Sequence, residues 1–318
     1  MLRHLSLIGL HSSIVVLSVV SPVSTLCGQE VRLEAKEDRV SVHIDDELFT
    51  EYIFTGYEKP VLYPVIGPHG IGMTRNWPMK EGFPEEVADK LDHPHHKSIW
   101  FGHMEVNGES FWHSGPTAGT TVHDQLSIDG TTIKSTNRLI SKTGELVATD
   151  SREIGFGTVG ESRYIDYAVT YHASESELVF GDNKDGQMGI RMHPQLRTKG
   201  QVAHGQAINS EGVRTAEIWG KRAKWIDYWG PVDGHVVGIA MFDHPSNLRF
   251  PTWWHARDYG LLSANPFGIH DFEKKEENAG VYKLPKGQSL TFKHRFVFHK
   301  GDAEQADIES IYTAWAGQ

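Results

Sequence analysis

Five of the chain's 19 histidines fall between positions 93 and 113. They sit in Asp92-His93-Pro94-His95-His96-Lys97-Ser98-Ile99-Trp100-Phe101-Gly102-His103 and, past Asn107, in Phe111-Trp112-His113. An imidazole gives or takes a proton near neutral pH, and its neutral ring binds metals. Charge, aromatic rings and Gly/Pro punctuation meet here, which marks a functional loop. In an extended chain His95 and His96 point to opposite faces, so the two would not ligate one ion. The plain alternative is a loop whose rings only hydrogen-bond nearby backbone.

A second cluster is Trp253-Trp254-His255-Ala256-Arg257-Asp258-Tyr259-Gly260, followed by Asn265-Pro266-Phe267-Gly268. Flat aromatic faces beside Arg and Asn donors suit a ligand with apolar C–H faces and many hydroxyls, which describes a sugar. A buried aromatic corner with Arg257 paired to Asp258 is the structural alternative. Three shorter strings carry related chemistry. Gly181-Asp182-Asn183-Lys184-Asp185-Gly186, with Arg191 after it, offers an Asp182–Lys184 pair able to tune a general base, or an ordinary hairpin turn. Asp243-His244-Pro245-Ser246-Asn247 ends the apolar run Val236 to Phe242, where an Asx-turn explains Asp243 equally well. Trp225-Ile226-Asp227-Tyr228-Trp229 is an aromatic–acid string whose alternative is core packing.

Several classes drop out. The only cysteine is Cys27, and the net charge is -10. A mature chain lacking that cysteine has no disulfide, thiolate nucleophile or Cys-based metal site. An acidic chain is a poor nucleic-acid partner. The letters of Gly155-Phe156-Gly157-Thr158-Val159-Gly160 match GxGxxG, but a strand-like stretch follows, so the string reads as a glycine loop without a pyrophosphate site. HExxH, GxSxG and P-loop motifs are absent.

These motifs need a scaffold, and period-two alternation supplies it. Val31, Leu33 and Ala35, then Val40, Val42 and Ile44, alternate with polar residues; so do Leu290, Phe292, His294, Phe296 and Phe298. With residues 163 to 171, these read as antiparallel strands, separated by turns at Asp45-Asp46, Asp129-Gly130 and Lys286-Gly287. Near the end Asp302 can cap a helix, Gln305 lies three residues on, and Ile308, Ile311, Tyr312 and Trp315 share one helical face. The expected class is all-β, a large antiparallel sandwich with a short C-terminal helix. Arg3, the apolar stretch from Leu5 to Leu26 and the polar chain beyond describe a signal peptide over 1–28, with one domain over 29–318. A single membrane anchor is the rival; His11, Ser12, Ser13 and Pro22 interrupt it. The expected location is secreted or periplasmic, with no membrane contact after cleavage.

Together the strings at 92–103, 243–247, 254–260 and 265–268 resemble the bacterial PmoA-like family of unknown function, often labelled methane oxygenase PmoA. The resemblance covers most of the mature chain, with Lys97 where Arg is expected in many relatives. The label fits poorly, because particulate methane monooxygenase subunits span the membrane many times and this chain has no hydrophobic segment after the leader. What the resemblance implies is a sandwich similar to the galactose-mutarotase supersandwich, a fold that mostly handles carbohydrates.

The resulting expectation is a carbohydrate-active enzyme working by proton transfer (epimerase, lyase or hydrolase). His95, His96 and His103 are the acid/base candidates, with Asp182 or Asp243 as carboxylate partner. Lys97, Lys184, Arg191, Tyr228, His244, His255, Arg257 and Asn265 would hold the substrate, with Trp254 as stacking face. The partner would be a small sugar or oligosaccharide. No cofactor is required, although a divalent metal held by His and Asp stays open. The rivals are a sugar-binding protein without chemistry, and a metal-dependent oxygenase with His95, His103 and His255 as ligands.

Overall fold

The computed structural model describes residues 29–83 and 91–318; the expected signal peptide lies outside the described residues. Two eight-stranded antiparallel sheets make up most of the fold. The first runs Val31–Ala35, Arg39–Ile44, Glu47–Ile53, Val61–Val65 and Ile99–His103, then Gly186–Arg191, Leu261–Asn265 and Trp253–Trp254. The second runs Gln206–Asn209, Trp225–Val232, His235–Asp243 and Ser289–Lys300, then Ser162–His172, Leu146–Val159, Thr132–Ile140 and Thr120–Asp129. A two-stranded sheet pairs Leu178–Phe180 with Tyr282–Leu284.

Alternation explains where the core lies. Side chains on one face of each sheet are apolar, and burying both faces against each other removes them from water. Val40, Leu62, Ile99 and Phe101 of the first sheet meet Ile154, Ile165, Phe296 and Phe298 of the second in one continuous core. The hairpin turn at Asp45-Asp46 has both residues at positive φ (52° and 63°), the twist that a two-residue hairpin needs. The GxGxxG letters fall on strand Leu146–Val159 and the turn after it, so most of that string is strand rather than loop.

Each sheet also has an outer face, and the two are treated differently. Helix Ile308–Ala316 lies over the second sheet, packing Ile308, Tyr312 and Trp315 on Trp225, Phe242 and Val297. The expected capping box forms: Asp302 Oδ1 accepts from Gln305 N, and Gln305 Oε1 accepts from Asp302 N. It closes a turn ahead of the helix, which begins only at Ile308. On the first sheet a smaller cluster of Ile53, Val61, Tyr63, Trp100, Trp112 and Leu261 forms a partial floor. Among the described residues no helix is long and apolar enough to cross a membrane.

Candidate functional site

Strand register builds the floor of the site. Residues directly opposite in neighbouring antiparallel strands put their side chains on the same face. Trp100 pairs with Gly189, Gly189 with Ser263, and Ser263 exchanges both backbone hydrogen bonds with His255. Four residues from three distant sequence regions therefore stand in one row on the outer face of the first sheet. The neighbouring row holds Arg191, Leu261 and Arg257. Gly189 is small for a reason: a Cβ there would lie 2.8 Å from Trp100 Cζ2 and 3.0 Å from Trp112 Cη2.

Over this floor stands the turn from Asp92 to Ser98. It is a turn, not the extended chain expected, so the His95 and His96 rings come to 4.4 Å of each other instead of facing apart. Arg75, buried beneath, fixes the turn by donating to the carbonyls of Asp92 (3.0 Å), His93 (3.1 Å) and His96 (3.4 Å). Ser98 Oγ donates to Thr74 Oγ1, and Lys97 Nζ reaches Glu58 Oε2 at 2.8 Å. The result is a stack of four rings. Tyr259, His93, His96 and Trp100 follow one another at centroid spacings of 5.1, 4.7 and 5.1 Å, with interplanar angles of 12°, 4° and 18°. The His95 and His113 rings meet beside it at a centroid distance of 4.5 Å and an interplanar angle of 61°.

A chain of polar contacts sets the protonation of His96. Asp92 Oδ1 accepts from Arg191 Nη2 at 3.0 Å, and Arg191 Nη1 lies 3.1 Å from His96 Nδ1. A guanidinium only donates, so His96 Nδ1 accepts and the ring hydrogen sits on Nε2. Among the described residues Nε2 makes no hydrogen bond. His95 is freer still: neither of its ring nitrogens bonds to a described residue. Burial, with His113 adding to it, pushes His95 down to about 3, and burial holds His96 well below its ordinary value. Both rings are neutral at physiological pH. Burial also opposes the charge of Asp92, but His93, whose Nδ1 is 2.8 Å away, and Arg191 outweigh it and hold the carboxyl well below the usual range.

The loop from Asp182 to Asp185 forms the opposite wall. Asp182 takes up the backbone N–H groups of His270 (3.0 Å) and Gly280 (2.6 Å). Asn265 Nδ2 donates to Asn183 O, and Lys184 N to Asp271 Oδ2. With its backbone held on every side, the loop projects Asp185, whose Oδ1 stands 3.5 Å from His255 Nδ1. His255 Nδ1 lies 2.9 Å from Lys184 O; a carbonyl only accepts, so Nδ1 carries the hydrogen and Nε2 is bare. Burial pushes His255 down to about 4, although Asp185 pulls the other way. The side chains of Asp92, His93, Lys184 and Asp185 keep 22%, 37%, 37% and 24% of their exposure, so solvent and ligand reach this face.

The last wall is the turn at Arg257 to Gly260, closed by Gly260 N to Arg257 O with Gly260 at φ +89°. Here the Arg257–Asp258 pair of the structural alternative does not form. Asp258 faces Lys199 at 3.8 Å, and the Arg257 guanidinium lies over Tyr259, 5.3 Å from its centroid.

A family model described as a family of unknown function, DUF6807, matches residues 39–313. The chain belongs to the DUF6807 family. No curated protein matches the sequence. Among solved structures, a galactose mutarotase-like protein from Lactobacillus casei is similar at 9% identity and a TM-score of 0.35, over 85% of this chain and 100% of its own. A galactose mutarotase related enzyme from Lactobacillus acidophilus is similar at 8% identity and a TM-score of 0.33, over 85% and 98%.

In this DUF6807 chain the structure thus gathers His95, His96, Lys184, Arg191, His255 and Arg257 on one face. It sends the other sequence candidates elsewhere. His103 faces the core, on the same side as Ile99 and Phe101, against Phe180 and Phe267; Nε2 bonds Gly181 O, and the residue is fully buried. Trp254 is also fully buried in the core, its Nε1 donating to Ala223 O, so it offers no stacking face. Asp182 caps helix Ile269–Glu273, and Asn265 Oδ1 accepts from Phe267 N; both are spent on backbone. Lys97 is buried in its pair with Glu58. The second sheet holds Asp243, whose oxygens take Asn247 Nδ2 and Thr252 N, and Tyr228, which is core. His244 bonds Ser246 Oγ and edges onto Trp315, beside the C-terminal helix.

Residues that the sequence reading passed over now join the site: Asp92, His93, His113, Asp185 and Tyr259, with Arg75 beneath. Asp185 had a signal, being the acid next to Lys184. Nothing in the string tells it from Asp182, because the difference is which carboxylate meets the helix N-terminus. Among the described residues no three His, Cys, Asp or Glu side chains are grouped to hold a metal ion. The set His95, His103 and His255 does not converge, because His103 lies on the core side of the sheet.

Proposed function

We propose that this is a carbohydrate-active enzyme that moves a proton at a sugar carbon, as an epimerase or lyase does. The observation that carries the reading is a partly exposed carboxylate, Asp185, 3.5 Å from the neutral ring of His255, on the face that also holds His95 and His96. In this scheme Asp185 takes the proton from carbon. His96 Nε2–H, oriented through Asp92 and Arg191, donates to the substrate oxygen on which negative charge develops, and the cations around it stabilise that charge. His95, neutral and unbonded at the ring edge, hydrogen-bonds hydroxyls and passes the proton on.

Hydrolysis by two carboxylates fits less well, since one must stay protonated to act as the acid. Asp92 is held ionised by Arg191 and His93. The polar groups of this face favour a polyhydroxylated ligand. Export from the cytoplasm, expected from the leader-like N-terminus, belongs to the same proposal and is checked by the N-terminal sequence of protein recovered from the native cell.

Replacement of Asp185 tests the scheme. Asp185→Asn should leave sugar affinity within a few-fold by calorimetry and lower turnover by about 10²–10⁴-fold, the range for a lost general base. A sugar that binds the parent with no turnover would favour a binding protein instead. Turnover unaffected by the change would remove Asp185 from the reaction.

A further inference from the structure

The charges of this site do not balance. Its described side chains include four cations, Arg75, Arg191, Lys184 and Arg257, against two carboxylates, Asp92 and Asp185. Asp92 is taken by both Arg75 and Arg191, at 3.4 and 3.0 Å. Asp185 stands 3.9 Å from Lys184 Nζ. Arg257 is left over. Its guanidinium makes no hydrogen bond or ion pair with any described residue, and the adjacent Asp258 is turned to Lys199. It is partly exposed and shares its row with Arg191. The surplus is local, since the whole chain carries a net charge of -10.

An unpaired guanidinium resting on an aromatic ring is a preorganised fork for an oxyanion. Tyr259 holds it against the face where Asp185 and the histidines stand. The geometry points to a sugar substrate that carries an anionic group, a carboxylate or a phosphate, held by Arg257 beside Lys184. This rests on reading the face as a sugar site and adds the class of sugar. A second feature agrees with it. Burial holds His95 and His255 neutral; Lys59 and Lys97 add to the effect at His95, and Arg257 and Lys184 at His255. A bound anion opposes the influence of the cations and raises the proton affinity of those rings.

Calorimetry on the full mature protein, with matched ligands of one ring configuration, decides the matter. The probes are glucose, glucuronate and glucose 6-phosphate, and the same three for galactose. At least one acid should bind about 10- to 100-fold more tightly than its neutral partner, the range for a hydrogen-bonded ion pair. The uronate and phosphate arms show which oxyanion is meant. Arg257→Gln should bring that acid down to the level of its neutral partner, and Arg257→Lys should restore part of the preference. His95, followed by its ring proton signals in a pH titration, should titrate higher with the acid bound. Neutral sugar bound as tightly as both acids would overturn the inference and leave the sugar site standing. Arg257→Gln weakening acid and neutral sugar alike would overturn it too. No binding of any of the six would sink the sugar site and the inference together.

Discussion

The two outer faces start from the same strand alternation and end differently. On the second sheet the C-terminal helix covers the face around Trp225, Phe242 and Val297, and several titratable groups of that sheet are shut in. Asp227 and His299 are fully buried, with His299 Nε2 2.8 Å from Asp227 Oδ1; on the core side of the same sheet Asp243 and His294 keep 1% and 2% of their exposure. On the first sheet the corresponding face carries a ring stack, four cations and two carboxylates, several of them in contact with solvent. Burial shifts proton affinities away from the open face as well. Burial pushes Asp243 up to about 7 and His294 down to about 4, shifts as large as those at the histidine cluster. A perturbed group is therefore a sign of function only where a ligand can reach it. Access, not perturbation, separates the two faces.

The sharpest way to break this contrast is through Trp254. If it is core, as its full burial and its Nε1–Ala223 bond require, Trp254→Ala should cost about 3–5 kcal/mol of stability, read by chemical denaturation. Sugar affinity of the molecules that stay folded should hold. A loss of affinity at unchanged stability would return Trp254 to the binding face and blur the distinction between inside and outside.

Much of the fold was legible because alternation is a local property. Val40, Val42 and Ile44 all turn inward, as their spacing requires, and the strand at 289–300 follows the same rule. The C-terminal helix announced its buried face, and only its first turn was misplaced. The site was legible in its parts and not in its assembly. That Trp100, Ser263 and His255 form a row depends on pairing register among strands far apart in sequence, which no single segment encodes. Trp254 misled for a related reason. Trp254 and His255 are neighbours that point to opposite sides of the chain, one to the core and one to the site. Composition names both without saying which is which.

A smaller effect tests the buried histidines on both sides at once. Burial keeps His103, His255 and His294 near 4 and His96 well below its ordinary value, while the unfolded chain takes up those protons near 6.5. The stability tied to these rings is intact above about pH 6.5 and is lost as pH falls toward about 4. Asp243, raised to about 7, and His299, which burial would lower but Asp227 raises, act in the opposite sense, since their protonated forms suit the fold, but they are two groups against four. The melting temperature should fall on the order of 10 °C between pH 7 and pH 4.5. A flat profile would mean that these rings are not held neutral.

The central claim is that the open face moves protons at a sugar carbon, and solvent deuterium reports on that step alone. The protein is incubated in D2O with each of the six sugars, and the ring C–H signals are followed by NMR. The account predicts that one C–H of an acidic sugar exchanges, and that Asp185→Asn slows the exchange by about 10²–10⁴-fold. Exchange at the same rate in Asp185→Asn, or bound acidic sugar with no ring position exchanging, would contradict it.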